Sequence, residues 1–389
     1  MYSEQDVFDF IEEEDVRFIR LSYFDVFGHQ KNVSIQPSVM ERAFKEGILI
    51  DGSAIAGFEP IEKSDLFLRP DPNTLAILPW RSFDGSVIRL YCDIYDADGN
   101  LYQNNTRYLL KQVIDEARHL QVPIQIRSEF EFYLFQLDEN GEPTKKPLDH
   151  AGYMDIAPED MGEDIRRQIC GYLSEMGVEP MASHHEEGPG QNEIDFQFNE
   201  PLASADSCAT FRWVVKATAQ SMGLYADFSP KPIPDAPGSG THIHIQVDPL
   251  EPFLAGILDH IRELTLFLNP TAASYDRLGE HKAPKYVTWD YANRSQLVRI
   301  PAGSRQIELR SPDGYANSYL AYTLLIYAGL DGVRRGLELM PNCDENLCGR
   351  LMTCEELPAS FKAAKEIAAK SEWIRHYVPA GILEAYLER

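Results

Sequence analysis

Apolar and polar residues alternate strictly in several segments of the chain, and such alternation predicts β-strands that are buried on one face. In residues 193–198, the polar positions hold Glu193, Asp195 and Gln197, and isoleucine or phenylalanine occupies each position between and after them. Successive side chains of a strand point to opposite faces, so this strand has an apolar face for a core and an acidic face. Taken alone, the pattern indicates no more than a half-buried strand whose other face is solvated.

Three further segments alternate in the same way, and their polar faces carry carboxylate, imidazole or guanidinium groups. These are 124–135 with Glu129 and Glu131, 241–247 with His242, His244 and Gln246, and 306–310 with Glu308 and Arg310. Solvated strand faces usually mix threonine, lysine, serine and glutamate, whereas these faces contain little lysine. Carboxylates that converge on one cavity repel one another unless cations lie between them, and Mg²⁺ and Mn²⁺ prefer carboxylate oxygens. The four polar faces therefore predict a metal site.

A turn precedes the first of these strands and is flanked by further acidic residues. Residues 184–193 read His-His-Glu-Glu-Gly-Pro-Gly-Gln-Asn-Glu, and Gly-Pro-Gly is typical of a turn. Such a turn folds the chain back on itself, so we expect Glu186 and Glu193 to lie close to each other.

The spacing of apolar residues elsewhere predicts the remaining elements and two domains. Helices are predicted at 5–14, 38–46, 158–176, 203–222, 251–268, 316–338 and 358–370, with another that Thr106 caps, and strands at 16–27, 32–35, 74–79 and 87–95. The four or so strands before residue 99 indicate a small mixed domain at 1–99. Residues 100–389 group their strands into one sheet with helices packed outside it, which is an α+β domain. Residues 229–240 and 341–352 are predicted to be loops.

Composition and charge exclude several classes of protein. The 389-residue chain has 36 basic and 61 acidic residues, and its formal charge of −25 argues against a general binder of nucleic acids or anionic membranes. No apolar run approaches the roughly 18 residues of a spanning helix, and the first residues do not resemble a signal peptide. The six cysteines are scattered without a C-x-x-C pair, so a zinc site is not expected. We expect a soluble, cytoplasmic protein.

Several segments of the chain resemble the signature segments of the glutamine synthetase family, and they follow one another in the family's order. The segments are 51–58, 64–80, 184–193, 228–232, 238–244, 269–278, 293–301 and 307–317. One such match would be a weak indication, whereas this many in order across residues 15–388 is a strong one.

The resemblance implies a fold, an activity, cofactors and partners. The implied fold is α+β, with a small N-terminal β-grasp domain at 1–99 that packs against the neighbouring subunit. In the catalytic domain at 100–389, an antiparallel sheet lines the active site and helices lie outside it. The implied enzyme is an ATP-dependent ligase that phosphorylates the γ-carboxylate of glutamate, after which an amine nitrogen displaces phosphate and forms an amide. It would use ATP and two or more Mg²⁺ or Mn²⁺ ions per active site, in a homo-oligomer with active sites between subunits.

The resemblance also implies roles for individual residues. The residues that would hold one metal ion are Glu131, Glu186 and Glu193, and those that would hold the other are Glu129, His242 and Glu308. The residues that would bind the amino-acid substrate are Gly238, Arg277 and Arg310, and those near ATP are His244, Arg299 and Arg305. Arg294 would contact the transferring phosphate, and Asp51 would help to bind ammonium across the subunit boundary. The alternative interpretation of these residues is a set of buried ion-paired carboxylates and surface salt bridges.

One departure from the family's pattern lies in the segment that resembles its active-site flap. Residues 278–282 read Leu-Gly-Glu-His-Lys, which is one residue shorter than usual. Lys282 stands where the family has a glutamate that helps to take a proton from ammonium, and Glu280 is the residue nearby that could replace it. The departure leaves the identity of the acceptor amine open.

Three functions are therefore compatible with the sequence. The first is a glutamate–ammonia ligase with an altered flap, which the retained metal ligands, arginines and Asp51 favour. The second is a ligase that joins glutamate, or a similar acid, to a larger amine, which the shortened flap favours. The third is a non-catalytic nucleotide-binding relative, which Met181, Pro237 and Lys282 would suggest because they depart from the family's usual residues.

Overall fold

The N-terminal part of the chain forms the smaller of two β-sheets. The computed structural model describes residues 2–80, 85–350 and 352–389. The N-terminal elements are α1 (Glu4–Glu13), β1 (Val16–Phe24), β2 (Gln30–Ile35), α2 (Met40–Lys45), β3 (Ile48–Asp51), β4 (Asp65–Pro70), β5 (Ala76–Ile77) and β6 (Ser86–Tyr95). The strand order is β2-β1-β6-β4-β3, and β5 also pairs with β6. A separate hydrophobic core, which includes Ile19, Leu68 and Ile88, supports this sheet.

The sequence pattern predicts about four strands in this region, whereas the described residues form six. The additional strands are β3 and β4. In β4, Leu66 and Leu68 are buried and alternate with more exposed residues. The alternation that indicates a strand is therefore present in the sequence, but it extends over only a few residues. The predicted strand at 74–79 is reduced to two residues, because residues 72–74 form a 3₁₀ turn. Asp71 caps this turn by accepting a hydrogen bond from the Asn73 amide.

The larger sheet contains the four strands whose polar faces predict the metal site. Its strands are β7 (Ile124–Leu137), β8 (Pro143–Pro147), β9 (Pro180–His185), β10 (Gln191–Phe196), β11 (Leu224–Asp227), β12 (Thr241–Val247), β13 (Trp289–Tyr291), β14 (Val298–Ile300) and β15 (Gln306–Leu309). The order is β13-β14-β15-β12-β7-β10-β9, with β8 and β11 also paired to β7. The polar-faced strands β15, β12, β7 and β10 are therefore neighbours, and their pairings are antiparallel. The expectation of an antiparallel sheet is confirmed for them.

Helices pack outside this sheet, which completes the predicted α+β architecture. They are α3 (Thr106–His119), α4 (Glu163–Glu175), α5 (Pro201–Ser221), α6 (Leu250–Leu268), α7 (Ala272–Arg277), α8 (Ser318–Arg335), α9 (Phe361–Lys370), α10 (Glu372–Tyr377) and α11 (Ala380–Glu388). Helices α6 and α8 approach so closely that a Cβ on Gly256 would lie 2.1 Å from the Ala328 carbonyl oxygen. No helix in the described ranges has both the length and the apolar content that a membrane span requires.

Several helix boundaries differ from the sequence predictions. Asn105, and not Thr106, caps α3, because the Asn105 side chain accepts a hydrogen bond from the Arg107 amide. Helix α4 begins at Glu163 and not near residue 158, since the preceding residues form turns. Helices α7, α10 and α11 are additions to the prediction. Of the predicted loop at 341–352, residue 351 lies outside the described residues, and the rest is irregular.

A buried arginine joins the two sheets. The Arg107 side chain, on α3, is almost fully buried and forms ion pairs with Asp71 and Asp93 of the N-terminal part and with Asp206 of α5. The three contacts measure 2.9, 3.1 and 3.0 Å. A buried guanidinium needs such partners to offset its lost hydration, so the cluster fixes the N-terminal sheet against the helices of the larger part.

Candidate active site

Cross-strand register sets the polar side chains of the larger sheet beside one another. Residues opposite each other on paired strands lie on the same face of a sheet. Glu131 of β7 lies opposite Glu193 of β10, and Glu129 of β7 lies opposite His242 of β12. The common polar face that the alternation predicts is therefore present.

This face lines a cavity of about 310 Å³ that collects most of the predicted site residues. The predicted residues that line it are Glu129, Glu131, Glu186, Glu193, Gly238, His242, Arg277, Glu280, Arg294, Arg299 and Arg310. They come from strands, from the Gly-Pro-Gly turn, from α7 and from the flap segment, so segments far apart in sequence meet here.

One end of the cavity is a cluster of three glutamates that repel one another. Glu186 and Glu193 have ligand atoms within 4.8 Å of each other and of His184. Burial raises the pKa of Glu131 to about 8, and the charges of Glu193 and Glu186 add to the effect. Burial likewise raises the pKa of Glu193 to about 7. A divalent cation would replace the protons that these carboxyls retain, so this oxygen-rich set fits Mg²⁺ or Mn²⁺.

A second cluster lies on the neighbouring strands. Ligand atoms of Glu129, His244 and Glu308 lie within 4.8 Å of one another, and His242 Nδ1 lies 3.3 Å from Glu129 Oε2. Burial, together with the charge of Arg310, lowers the pKa of His242 to about 4. His242 is therefore neutral near pH 7 and keeps the lone pair that a metal ion needs. His242 is the one histidine in the predicted ligand set. The Nε2 atom of His244, at 2.7 Å from Glu129 Oε1, nevertheless lies closer to that carboxylate than His242 does.

The arginines around the cavity differ in what they already contact. Arg277 is buried and donates hydrogen bonds to the carbonyl oxygens of Ser311 and Arg310. Arg299 and Arg310 both pair with Glu308. Burial alone would raise the pKa of Glu308, but these guanidinium groups and the neighbouring histidines lower it to about 2.

Arg294 stands apart from the other arginines. It lines the cavity and has no hydrogen bond or ion pair to any residue in the described ranges. A guanidinium that makes no hydrogen bond or ion pair to the described residues is available for an anionic ligand, and its planar fork suits phosphate oxygens.

Two predicted residues lie away from the cavity within one subunit. Asp51 is exposed at the end of β3, where it accepts hydrogen bonds from the Ser53 amide and hydroxyl at 2.9 and 2.6 Å. Arg305 lines a separate cavity with Trp289 and Tyr291. Their roles in ammonium and nucleotide binding stay predictions.

Some residues of the cavity have no predicted role, and they differ in whether the sequence contained a signal. Gln191 lies two residues before Glu193 on the same strand, so extending the alternation would have found it. Its side-chain amide donates to the Gly238 carbonyl at 3.1 Å. His184 lies opposite Glu193 in the β9–β10 pairing, which only the register reveals. Tyr153 reaches the cavity from an irregular segment, for which we find no sequence signal.

A buried histidine–aspartate pair supports the turn that carries Glu186. His185 is fully buried, its Nδ1 lies 2.6 Å from the Glu186 carbonyl oxygen, and its Nε2 lies 2.9 Å from Asp149 Oδ1. The same Asp149 oxygen accepts a hydrogen bond from the Gly190 amide at 3.0 Å. Asp149 therefore connects both sides of the Gly-Pro-Gly turn and sets the distance between the acids that flank it.

Replacing Asp149 with asparagine is expected to weaken Mn²⁺ binding by about 10- to 100-fold, as is usual when a residue that orients metal ligands is changed. Asparagine keeps the volume but removes the charge that holds His185. Titration calorimetry with Mn²⁺ measures the effect, and the exposed turn variant Asp138→Asn serves as the control. A dissociation constant equal to that of the unchanged protein would contradict the role of Asp149.

The chain is similar to known proteins along nearly its whole length. The family model described as glutamine synthetase, catalytic domain, matches residues 103–389, and that described as glutamine synthetase, beta-Grasp domain, matches residues 15–97. A glutamine synthetase of Methanosarcina mazei is 39% identical to this chain, over 99% of this chain and 92% of its own length. One of Halobacterium salinarum is 43% identical, over 85% of this chain and 78% of its own.

A solved structure agrees with these matches. The structure of a GmaS/ADP complex is 28% identical in sequence, covers 98% of this chain and 94% of its own, and superposes with a TM-score of 0.89. Both domain models of one family thus match in order, and the residues that line the polar cavity all lie in the part that the catalytic-domain model matches. The chain belongs to the glutamine synthetase family.

Proposed function

We propose that this chain is a glutamate–ammonia ligase, which converts glutamate, ammonia and ATP into glutamine, ADP and phosphate. The observation that carries the proposal is the cavity itself. It sets four glutamates and His242, which fit divalent cations, beside Arg294, and Arg294 has no hydrogen bond or ion pair to the described residues. The 39% and 43% identity to two glutamine synthetases supports this activity over other ligase reactions.

The donor sets divide between two metal ions. Glu131, Glu186 and Glu193 would hold one ion beside glutamate, and Glu129, His242 and Glu308 would hold the other beside ATP. Bound Mg²⁺ or Mn²⁺ supplies positive charge that neutralises phosphate and carboxylate oxygens. The raised pKa values of Glu131 and Glu193 support this assignment, because buried acids that repel one another are stabilised by a cation.

The chain's own cations would orient the two substrates. Arg277 and Arg310 would hold the carboxylate of glutamate, while Arg294 and Arg299 would contact phosphate oxygens as negative charge builds up on them. Gly238 would let the substrate approach the backbone, and a Cβ there would lie 2.4 Å from the Pro230 carbonyl oxygen, so a larger residue does not fit. A carboxylate is a poor electrophile and an acyl phosphate a good one, so positioning serves that conversion.

The nucleotide site is supported by the similar GmaS structure, which contains ADP. His244 would lie near the ATP phosphates behind Glu129. Arg305 would face the nucleotide from its separate cavity, a role that requires the nucleotide to extend beyond the carboxylate cluster. ATP is therefore proposed as the phosphoryl donor.

A second copy of the chain would complete the site. Asp51 is exposed and lies outside the cavity of its own subunit, so its proposed role in binding ammonium requires a neighbouring subunit. We propose a homo-oligomer with active sites between subunits, in which the small domain at 1–99 contacts the catalytic domain at 100–389 of its neighbour. Flap residue Glu280, which lines the cavity, would assist Asp51 in taking up a proton.

A larger amine is the second candidate acceptor, and one observation favours it. Lys282 lines the cavity with Tyr153, so the acceptor side has a lysine and an aromatic ring near the glutamates. The Tyr153 ring offers an apolar contact that the alkyl part of a larger amine can use and ammonium cannot.

Phosphate release from ATP tests both candidates. The protein is incubated with Mg²⁺, glutamate and ATP, first with ammonium and then with a panel of primary amines. Release with ammonium at a rate comparable to the best amine supports the ammonia ligase. Release with a larger amine alone identifies a γ-glutamyl-amine ligase, and no release with any amine favours a non-catalytic nucleotide-binding protein.

A further inference from the structure

An ion pair links two parts of the cavity wall. The flap residues Glu280, Lys282 and Ala283 form one part of the wall, and Glu187 of the Gly-Pro-Gly turn forms another. Lys282 Nζ and Glu187 Oε1 form an ion pair that bridges them. Both side chains remain partly exposed, at 54% and 36%, so the pair lies on the part of the cavity wall that solvent reaches.

Glu187 is directly connected to the first glutamate cluster. Its amide donates a hydrogen bond to Glu186 Oε2 at 2.9 Å. Glu187 also lines the cavity in which glutamate would be activated, and its carboxylate already binds a cation. That cation is the ε-ammonium group of Lys282. It is a protonated primary amine on an alkyl chain, as a protonated alkylamine substrate would be.

We infer that Glu187 is the carboxylate that first binds the cationic acceptor, and that Lys282 occupies this position as a competitor within the chain. The inference rests on the proposed ligase function and specifies its acceptor site. An incoming ammonium or primary alkylammonium ion displaces Lys282 from Glu187, after which the displaced lysine extends into solvent. Lys282 thus sets the amine concentration at which the site fills.

The strength of the pair fits a displaceable competitor. Partly exposed ion pairs are weak in measured cycles, so a soluble amine can compete with Lys282. A fully buried pair such as Arg166 with Asp160 would not exchange in this way. The weakness of an exposed pair also limits the size of the expected effect.

The first measurement is the KM for ammonium in phosphate release. Replacing Lys282 with methionine removes the competitor, and the KM is expected to fall by about two- to fivefold, which corresponds to the strength of an exposed pair. Replacing Glu187 with glutamine is expected to raise the KM. In the Glu187→Gln background, Lys282→Met is expected to have no further effect, because the site for which the two cations compete is gone.

Lys285→Met is the matched control. Lys285 pairs with Glu356 at 3.1 Å, both side chains are 40% exposed, and neither lines the cavity. The control removes a similar charge and a similar ion pair, so its KM for ammonium is expected to equal that of the unchanged protein. An equal fall in Lys285→Met and Lys282→Met would assign the effect to net charge and overturn the inference.

A binding measurement separates this inference from the proposed function. Calorimetry with methylammonium chloride, on protein loaded with Mn²⁺ and ADP, requires no turnover. Tighter binding by Lys282→Met and weaker binding by Glu187→Gln are expected even if the unchanged protein releases no phosphate, in which case the ligase function alone fails. Equal dissociation constants in the unchanged protein and both variants would overturn the acceptor site, whatever the activity.

Discussion

Replacing Glu131 with glutamine is expected to lower ATP- and glutamate-dependent phosphate release by at least about a hundredfold, the usual cost of losing one strong electrostatic contact at a reacting centre. Glu131 accepts a hydrogen bond from the Gly240 amide at 2.8 Å, and the oxygen of a glutamine can still accept it. The substitution therefore removes the charge that a metal ion needs and preserves the local backbone.

The stability of this variant is a second, independent readout. Burial and the charges of Glu193 and Glu186 raise the pKa of Glu131, so a neutral residue relieves repulsion in the metal-free protein. The denaturation midpoint of Glu131→Gln without metal is expected to stay equal or to rise, while Mn²⁺ stabilises it less than it stabilises the unchanged protein.

Glu139→Gln is the control for this experiment, since Glu139 is exposed in the turn between β7 and β8. It is expected to retain the activity and the stabilisation by Mn²⁺. Activity of Glu131→Gln close to that of the control would refute the role of Glu131 as a metal ligand.

Replacing Arg294 with alanine is expected to lower kcat by about a thousandfold, the lower end of what an arginine that contacts a transferring phosphoryl group contributes. Arg294 has no hydrogen bond or ion pair to the described part of the chain. Its removal therefore leaves no hydrogen-bonding or ion-pairing group of the described residues unpaired, and the denaturation midpoint is expected to remain unchanged.

Arg294→Lys distinguishes charge from geometry. Lysine keeps the positive charge but lacks the planar fork that contacts two oxygens at once, so it is expected to restore only part of the lost kcat. The control is Arg262→Met, which breaks the surface pair between Arg262 and Glu355 at 2.7 Å. An unchanged kcat in Arg294→Ala would show that this arginine does not contact the transferring group.

The two sets of variants test different halves of the cavity. Suppose that Glu131→Gln loses Mn²⁺ binding while Arg294→Ala keeps its kcat. The metal ligands would then stand as proposed, and a residue other than Arg294 would contact the phosphate. If instead Glu131→Gln keeps Mn²⁺ binding while Arg294→Ala loses kcat, the phosphate contact would stand as proposed and other residues would hold the metal ion. Each half of the proposed mechanism can therefore fail without the other.

The sequence by itself determined which polar residues share a strand face. Side chains two positions apart point the same way, so the alternation was enough to group Glu129 with Glu131 and His242 with His244. It also indicated that Glu186 and Glu193 flank a tight turn. These are local properties of the backbone, and they survive in any fold that keeps the strands.

Short or irregular segments were less well determined. The sequence pattern did not predict β3 and β4, because four to six residues contain too few periods of alternation to stand out. It also placed the cap of α3 one residue late, since Asn105 and Thr106 are both common caps and only the hydrogen bond to the Arg107 amide decides between them.

Tertiary structure alone decided which faces meet and which residues touch. The register that sets Glu131 opposite Glu193, the approach of His244 to Glu129 and the pairing of Lys282 with Glu187 all join residues that are distant in sequence. The packing also leaves Arg294 without a hydrogen bond or ion pair to the residues that the structure describes. Such contacts depend on how the strands pair and how the helices pack over the shared core, because a shift of one residue in a strand would turn its whole polar face away from the cavity. Periodicity along the chain shows which positions share a face but not which residue lies opposite which, and strand pairing together with the packing of the apolar faces fixes that register.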